Sequence, residues 1–406
     1  MTPAVPLAVP AVATALAAGE IAPYCAHFDV CGGCALQRLD SEAQLRLKQQ
    51  RLADALARIG QVAPQRWLPA ITSDPWGYRR RARLGVRYVR QKGRALVGFR
   101  ERHSNRVADI VRCEVLAPPL DALITPLSAL ITRLSIRAQL PQIEVAIGDE
   151  AVALVLRVLA PPTAADLECL REFERLHQVH LYLQPGGIDS TFALTPPAPR
   201  LHYALPTLPG ALPQPQLQIE FLPTDFIQVN AAVNRALVRA AGPLLELHAD
   251  ASVLDLYCGL GNFSLALARQ ARCVVGVEGD GGLVERARAN AHRNRVDNAQ
   301  FYQADLSSTD LAADAGAAPW LARRFSHVLL DPPRAGALAL LPHIAHLAPE
   351  RVLYVACDPD TLARDVGVLV HQHGLLLLAA GVVDMFPHTA HLESLALLAP
   401  GPAHGH

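Results

Sequence analysis

From about Ala231 onward the chain alternates helix-length segments with short apolar runs, at Val253–Tyr257, Cys273–Val277, Gln300–Gln303, His327–Leu330, Val352–Ala356 and Leu375–Ala380. Few folds accommodate that rhythm. Strands that are apolar on both faces need cover on both, and helical crossovers supply the cover while returning the chain parallel to itself. The pattern predicts an α/β domain with a doubly wound, Rossmann-like sheet over 226–400, with ligands at the carboxyl ends of its strands. The stretch before it, 21–225, keeps no such alternation. It shows a helix near 120–136, strands near 143–148 and 151–159, a helix over 164–177 and a strand near 180–185. Prolines at 196, 197, 199, 206, 209, 213 and 215 then break the chain before a strand at 217–222. This part reads as an α+β or β-rich domain. Residues 1–20 alternate Pro and Ala without a basic leader or any Arg, and read as a disordered tail, with 401–406 as a second one.

Charge is informative only locally. The 37 basic and 37 acidic residues cancel, but from Arg79 to Arg112 twelve basic residues face only Glu101 and Asp109. Trp76, Tyr78, Tyr88 and Phe99 are interleaved with them, a combination suited to the backbone and unstacked bases of RNA. Leu45, Leu52, Leu56 and Ile59 mark a helix over 41–60, with Ser41 as N-cap and Gly60 as stop, that is expected to pack on the second domain. No apolar run is long enough to cross a membrane, so a cytoplasmic protein is expected, as a monomer with no obligate protein partner.

The eight cysteines do not form a disulfide framework. Cys25, Cys31 and Cys34 form Cys-x5-Cys-Gly-Gly-Cys, whose glycines let the backbone wrap a metal centre. Cys113, after the basic hairpin, is the candidate fourth ligand, because Cys169 falls in an amphipathic helix. Spacing alone leaves zinc and an iron–sulfur cluster both open.

In the second half the chemistry gathers at strand ends. Leu256-Tyr257-Cys258-Gly259-Leu260-Gly261-Asn262 is a glycine turn between strand and helix. Glu278 closes the next strand, where such folds grip a ribose, and Asp305 closes the third, within reach of an adenine amine. Two spaced acids without a pyrophosphate site fit S-adenosylmethionine better than a dinucleotide. Asp331 opens a rigid Asp-Pro-Pro loop. Cys357 ends the following strand, beside a helix expected to start near Thr361 with Asp358 or Asp360 as cap, and a helix N-terminus favours thiolate. Alone, it would be a small core residue. Glu393, expected at a sheet edge among apolar residues, is suited to proton transfer through a raised pKa.

Taken together, Cys-x5-Cys-Gly-Gly-Cys, Phe226-Ile227-Gln228-Val229-Asn230, the glycine turn, Val277-Glu278-Gly279, Asp331-Pro332-Pro333-Arg334-Ala335-Gly336, Cys357-Asp358-Pro359 and Asp384-Met385-Phe386-Pro387-His388-Thr389 with Glu393 resemble the RNA uracil-C5 methyltransferase family. The likeness runs from about residue 25 to the final strand. It implies methylation of carbon 5 of a uridine, with Cys357 as nucleophile and Glu393 as general base. It also implies S-adenosylmethionine contacts from Gln228, Tyr257, Asn262, Glu278, Asp305 and Asp331, and a [4Fe-4S] cluster on Cys25, Cys31, Cys34 and Cys113. The cysteine spacing is most like the branch acting on 23S ribosomal RNA at the site called 1939. Two features depart from it. The Pro/Ala stretch is too short for that branch's N-terminal TRAM-type barrel, which is more like the branch acting at the site called 747. The nucleophile loop carries Asp358 where Asn is usual, and the extra charge is expected to raise the thiol pKa. The alternatives are the 747-type site, transfer RNA uridine-54, an exocyclic-amine methyltransferase, and an iron–sulfur RNA-binding protein without catalysis.

Overall fold

The computed structural model describes residues 21–206, 215–308 and 318–401. The Pro/Ala segment 1–20, Pro209, Pro213 and residues 402–406 lie outside these. After the first cysteine loop comes α1 (Ser41–Ala55), prolonged by a π turn over Leu56–Gly60. Its N-cap is Asp40, accepting from Ala43 N, while Ser41, expected as the cap, is the first helical residue. A carboxylate there satisfies the same N–H and also opposes the helix dipole.

Following β1 (Arg66–Trp67), the middle region contains β2 (Arg81–Val89), β3 (Arg94–Gly98), α2 (Ile124–Arg133), β4 (Gln142–Ile147) and β5 (Val152–Arg157). It continues with α3 (Ala164–His177), β6 (His180–Gln184) and β7 (Phe192–Ala193), then the hairpin β8 (Leu201–Leu205) and β9 (Leu217–Phe221). Strands β2 to β7 form one sheet in the order β3-β2-β4-β5-β6-β7, closed on one side by α2 and α3 over Leu84, Leu127, Ile131, Ile143, Leu154 and Leu170, and β8 and β9 pair separately. The helix over 164–177 keeps its expected bounds because Thr163 and Asp166 make a reciprocal capping box.

The second region runs α4 (Ala231–Leu245), β10 (Ser252–Leu256), α5 (Ser264–Leu267), β11 (Cys273–Glu278), α6 (Gly281–Arg293) and β12 (Ala299–Gln303). It ends with α7 (Ala318–Leu321), β13 (His327–Leu330), α8 (Leu341–His346), β14 (Arg351–Ala356), α9 (Pro359–His371), β15 (Leu375–Val383) and β16 (Glu393–Pro400). The sheet order is β1-β15-β16-β14-β13-β10-β11-β12, parallel except that β16 runs antiparallel to both neighbours. Alternate residues of β10 enter opposite cores: Val253 packs with α4, α6 and the β8–β9 hairpin, and Leu254 with α8, α9 and α1. Helix α1 is thus built into the second region. Fully burying its Leu52, and Leu56 just beyond, contributes about 1.5–3 kcal/mol each.

Candidate active site and cysteine cluster

β10 pairs with β11 on one side and β13 on the other, so the chain leaves it in opposite directions and opens a crevice at the strand ends. The turn above β10 needs left-handed backbone at Tyr257 (φ +63°), Gly259 (φ +53°) and Gly261 (φ +86°). Glu278 holds this turn: its carboxylate accepts from Gly259 N at 3.1 Å, Gly279 N at 2.8 Å and Asp280 N at 3.2 Å. Asn262 exchanges two amide hydrogen bonds with Asn234 of α4 and accepts from the Tyr203 hydroxyl at 3.0 Å. Neither Asn234 nor Tyr203 stands in a recognisable motif. Tyr257 donates to Leu306 O at 3.3 Å, and exposed Asp305 accepts from Ser307 N and Oγ, which holds its pKa below the usual carboxylate range.

Asp331, at the end of β13, accepts from Gln228 Nε2 at 3.3 Å, and loss of solvent pushes its pKa up to about 7. Asp255, which no sequence motif marks as a site residue, is 1% exposed. Its Oδ2 accepts from Ser264 Oγ, its Oδ1 has no partner, and burial raises its pKa to about 7, with Asp331 and Glu278 adding like charge. Three converging acids with an unpartnered buried oxygen fit a cationic ligand such as S-adenosylmethionine, with its sulfonium and ammonium groups.

The insertion of β16 decides the reacting end. Val355 pairs with Leu395 and Ala356 with Ser394, so the register continued by one residue sets Cys357 opposite Glu393. Residues opposite each other across antiparallel strands point to the same face. Glu393 was expected at a sheet edge; it is instead the first residue of an interior strand, facing Val383 of β15 on its other side. It is 7% exposed, and its Oε2 lacks a partner. Burial, then the charge of Asp331, raises its pKa well above the ordinary value, and Lys48 works in the opposite direction.

Cys357 is half-buried, and its thiol is also pushed up, by burial first and then by Glu393 and Asp331, against Arg334. The expectation of a thiolate favoured by the helix N-terminus is therefore corrected. α9 starts at Pro359, and the Asp358 carboxylate already occupies its free N–H groups at Asp360 and Thr361. The expected upward shift is present, but it arises from burial and from Glu393 and Asp331, while Asp358 is engaged as the cap. From α9, fully buried Asp365 accepts from Tyr354 Oη at 2.6 Å and Ala337 N at 2.7 Å, pinning the Asp-Pro-Pro-Arg-Ala-Gly loop. Gly336 (φ +79°) is required there, because a Cβ would lie 2.5–2.6 Å from Arg364 and Asp365.

Cys25, Cys31, Cys34 and Cys113 line one pocket with Phe28, Phe99 and Ile110. Burial raises all four thiols, Cys34 to about 11 and Cys113 to about 12, and each of Cys31, Cys34 and Cys113 feels the charge of another cysteine of the set. Four thiols lining one pocket are the donor set that zinc or an iron–sulfur cluster takes. Gly32 donates to Arg100 O at 2.8 Å, and a Cβ on it would press on the 100–102 backbone at 3.1–3.2 Å.

The basic run is less bare than its sequence. Glu144 of β4 pairs with Arg81 and Arg83, Asp109 with Lys92 and Arg94, and Arg112 with Glu114 and Asp121. Arg80 is buried over the Tyr203 ring and donates to Gln228 O, and Arg102 holds Phe28 O and Cys34 O. Arg87, Arg90 and Arg106 remain exposed, outside any ion pair among the described residues.

Comparison with known proteins decides the family. A relative from Alkalilimnicola ehrlichii named 23S rRNA (uracil(1939)-C(5))-methyltransferase RlmD is 53% identical over 380 residues, spanning 93% of this chain and 82% of its own length. The chain belongs to the RNA uracil-C5 methyltransferase family. A Xanthomonas campestris relative of the same name is 48% identical over 378 residues, again covering 93% of this chain and 82% of its own. The tRNA (Uracil-5-)-methyltransferase family model matches residues 213–400. The crystal structure of Pyrococcus abyssi tRNA (uracil-54, C5)-methyltransferase with S-adenosyl-L-homocysteine superposes with a TM-score of 0.66. At 24% identity, covering 91% of this chain and 86% of that one, it shares the fold. As an RNA uracil-C5 methyltransferase, this protein is an S-adenosylmethionine-dependent enzyme acting on RNA. Among the described residues no helix is long and apolar enough to cross a membrane.

Proposed function

We propose that this methyltransferase modifies carbon 5 of uridine 1939 in 23S ribosomal RNA through a transient bond between Cys357 and the base. The observation that carries the mechanism is the β14–β16 register, which sets Cys357 facing Glu393 beside Asp331. Carbon 5 of uracil is a poor nucleophile. The Cys357 thiolate adds to carbon 6, and the displaced electron pair moves through carbon 5 to O4 as an enolate. Bound S-adenosylmethionine supplies an electrophilic methyl group to carbon 5. Glu393 then removes the carbon-5 proton, the 5,6 double bond reforms, and the thiolate leaves. Asp331 interacts with Cys357, Glu393 and Asp255 alike, and so bridges the cofactor crevice and the reacting base. Gln228, Tyr257, Asn262, Glu278 and Asp305 frame the cofactor's place. The base must leave its stack to arrive there.

The target is carried by the 46–53% identical relatives, all of whose names specify position 1939. Region 21–225 holds RNA and region 226–400 transfers the methyl group, in the cytoplasm where ribosomal RNA resides. Cys25, Cys31, Cys34 and Cys113 would hold a [4Fe-4S] cluster, which would tie the first loop to the loop after the hairpin.

The test uses a 23S fragment containing uridine 1939. Glu393→Gln should accumulate a denaturation-resistant protein–RNA adduct. Cys357→Ala should form no adduct and no 5-methyluridine while still binding S-adenosylmethionine, and methylation by that variant would overturn the mechanism. Modification mapped to position 747, or to uridine-54 of transfer RNA, would overturn the target.

A further inference from the structure

The segment 384–391, which leads into Glu393, is gripped almost entirely from the amino-terminal part of the chain. Ala35 N and Leu36 N donate to His388 O at 2.8 and 2.9 Å. Gln44 of α1 accepts from His388 N at 2.8 Å and meets His388 Nδ1 at 3.1 Å. Tyr78 Oη donates to Pro387 O at 3.0 Å, and Trp76 stacks on the His388 ring at 3.9 Å. At the centre is Lys48, 3% exposed, whose Nζ lies 2.6 Å from Asp384 Oδ1 and 2.9 Å from Phe386 O. Val383 faces Glu393 across the β15–β16 ladder, so Asp384 and its lysine stand one residue from the carboxylate.

A buried ion pair rarely repays its desolvation, so a lysine is an unusual choice for a mere strut. We propose that Lys48 is a positioning residue for proton abstraction, fixing the Asp384–His391 segment and keeping a positive charge beside Glu393, so that resolving the covalent adduct depends on it and forming the adduct does not. This rests on Glu393 being the base. The charges that act on that carboxyl are Asp331 from the end of β13 and Lys48 from α1; Cys357 at the end of β14 feels the carboxyl in turn, and Asp384 is taken up by Lys48. Asp331 opposes ionisation of Glu393 and Lys48 favours it. Without Lys48 the base should hold its proton to higher pH.

The test separates the two half-reactions in single turnover, with a 23S fragment carrying uridine or 5-fluorouridine at the target. Lys48→Met leaves Asp384 buried and unpaired, so Lys48→Met/Asp384→Asn, which removes both charges, guards against misfolding, and denaturation midpoints are compared. The double variant should form the fluorouridine adduct within about twofold of the parent. It should resolve the uridine adduct about tenfold more slowly at pH 7, the size expected when a carboxylate loses a nearby cation. The acid limb of resolution should move to higher pH, and Lys48→Arg should restore most of the rate. Resolution at the parental rate in the double variant, while Glu393→Gln still traps adduct, would overturn the role of Lys48. Absence of trapping in Glu393→Gln would instead overturn the assignment of the base.

Discussion

Asp255→Asn should make the cofactor-free protein more stable and the enzyme worse. Asp255 lies in the middle of the parallel sheet with one carboxylate oxygen unpartnered, and its pKa is about 7 against an ordinary 3.8. A carboxyl raised on folding contributes its stability in full below pH 3.8 and loses it as pH rises through 7. Relative to acid pH the cost is about 2 kcal/mol at pH 5.5, where the folded carboxyl must keep its proton, and about 4 kcal/mol at pH 8, where it must carry its charge, from 1.36 kcal/mol per pKa unit. Asparagine has no such cost and can keep the Ser264 bond. The advantage of the variant over the parent in urea unfolding should therefore grow by about 2 kcal/mol from pH 5.5 to pH 8. Binding of S-adenosylmethionine should weaken in the same variant, since a cation has lost one of three acids. A stability difference that is flat across that pH range would refute the reasoning, because it would mean that Asp255 is already ionised and satisfied.

Two further outcomes follow from the same electrostatics and spacing. Burial and neighbouring acids hold the Cys357 thiol above its ordinary 9.0, and the thiolate is the reactive form. Adduct formation with 5-fluorouridine RNA should rise about tenfold per pH unit from 7 towards 9, and a profile flat over that range would show a thiolate already present. Anaerobically prepared protein should contain about four iron atoms and about four acid-labile sulfides per chain, with Cys113→Ser losing most of both. One zinc and no sulfide would exclude the cluster.

Much of the site was legible because each motif is a local solution to a local constraint. A strand that ends in Gly-x-Gly must turn, and an acid that closes the next strand faces that turn, so Tyr257, Asn262, Glu278 and Asp331 reach one crevice in any doubly wound sheet. Element bounds held where a cap was written beside them, as at Thr163–Asp166, and slipped where two caps competed, as at Asp40 and Ser41. Asp255, Asn234 and Tyr203 were not legible, because a single polar residue in an apolar run has no spacing to mark it.

The amino-acid sequence by itself determined which candidate residues stand at which strand ends, since periodicity and turn residues act over a few positions. Tertiary structure alone decided who faces whom. The antiparallel entry of β16 between β14 and β15 makes Cys357 and Glu393 neighbours, and no local pattern encodes strand order. Glu144, from a later strand, cancels two arginines of the basic run. Lys48 reaches Asp384 across 336 residues of chain. Charges act through distance in space, and that distance exists only once the chain has folded.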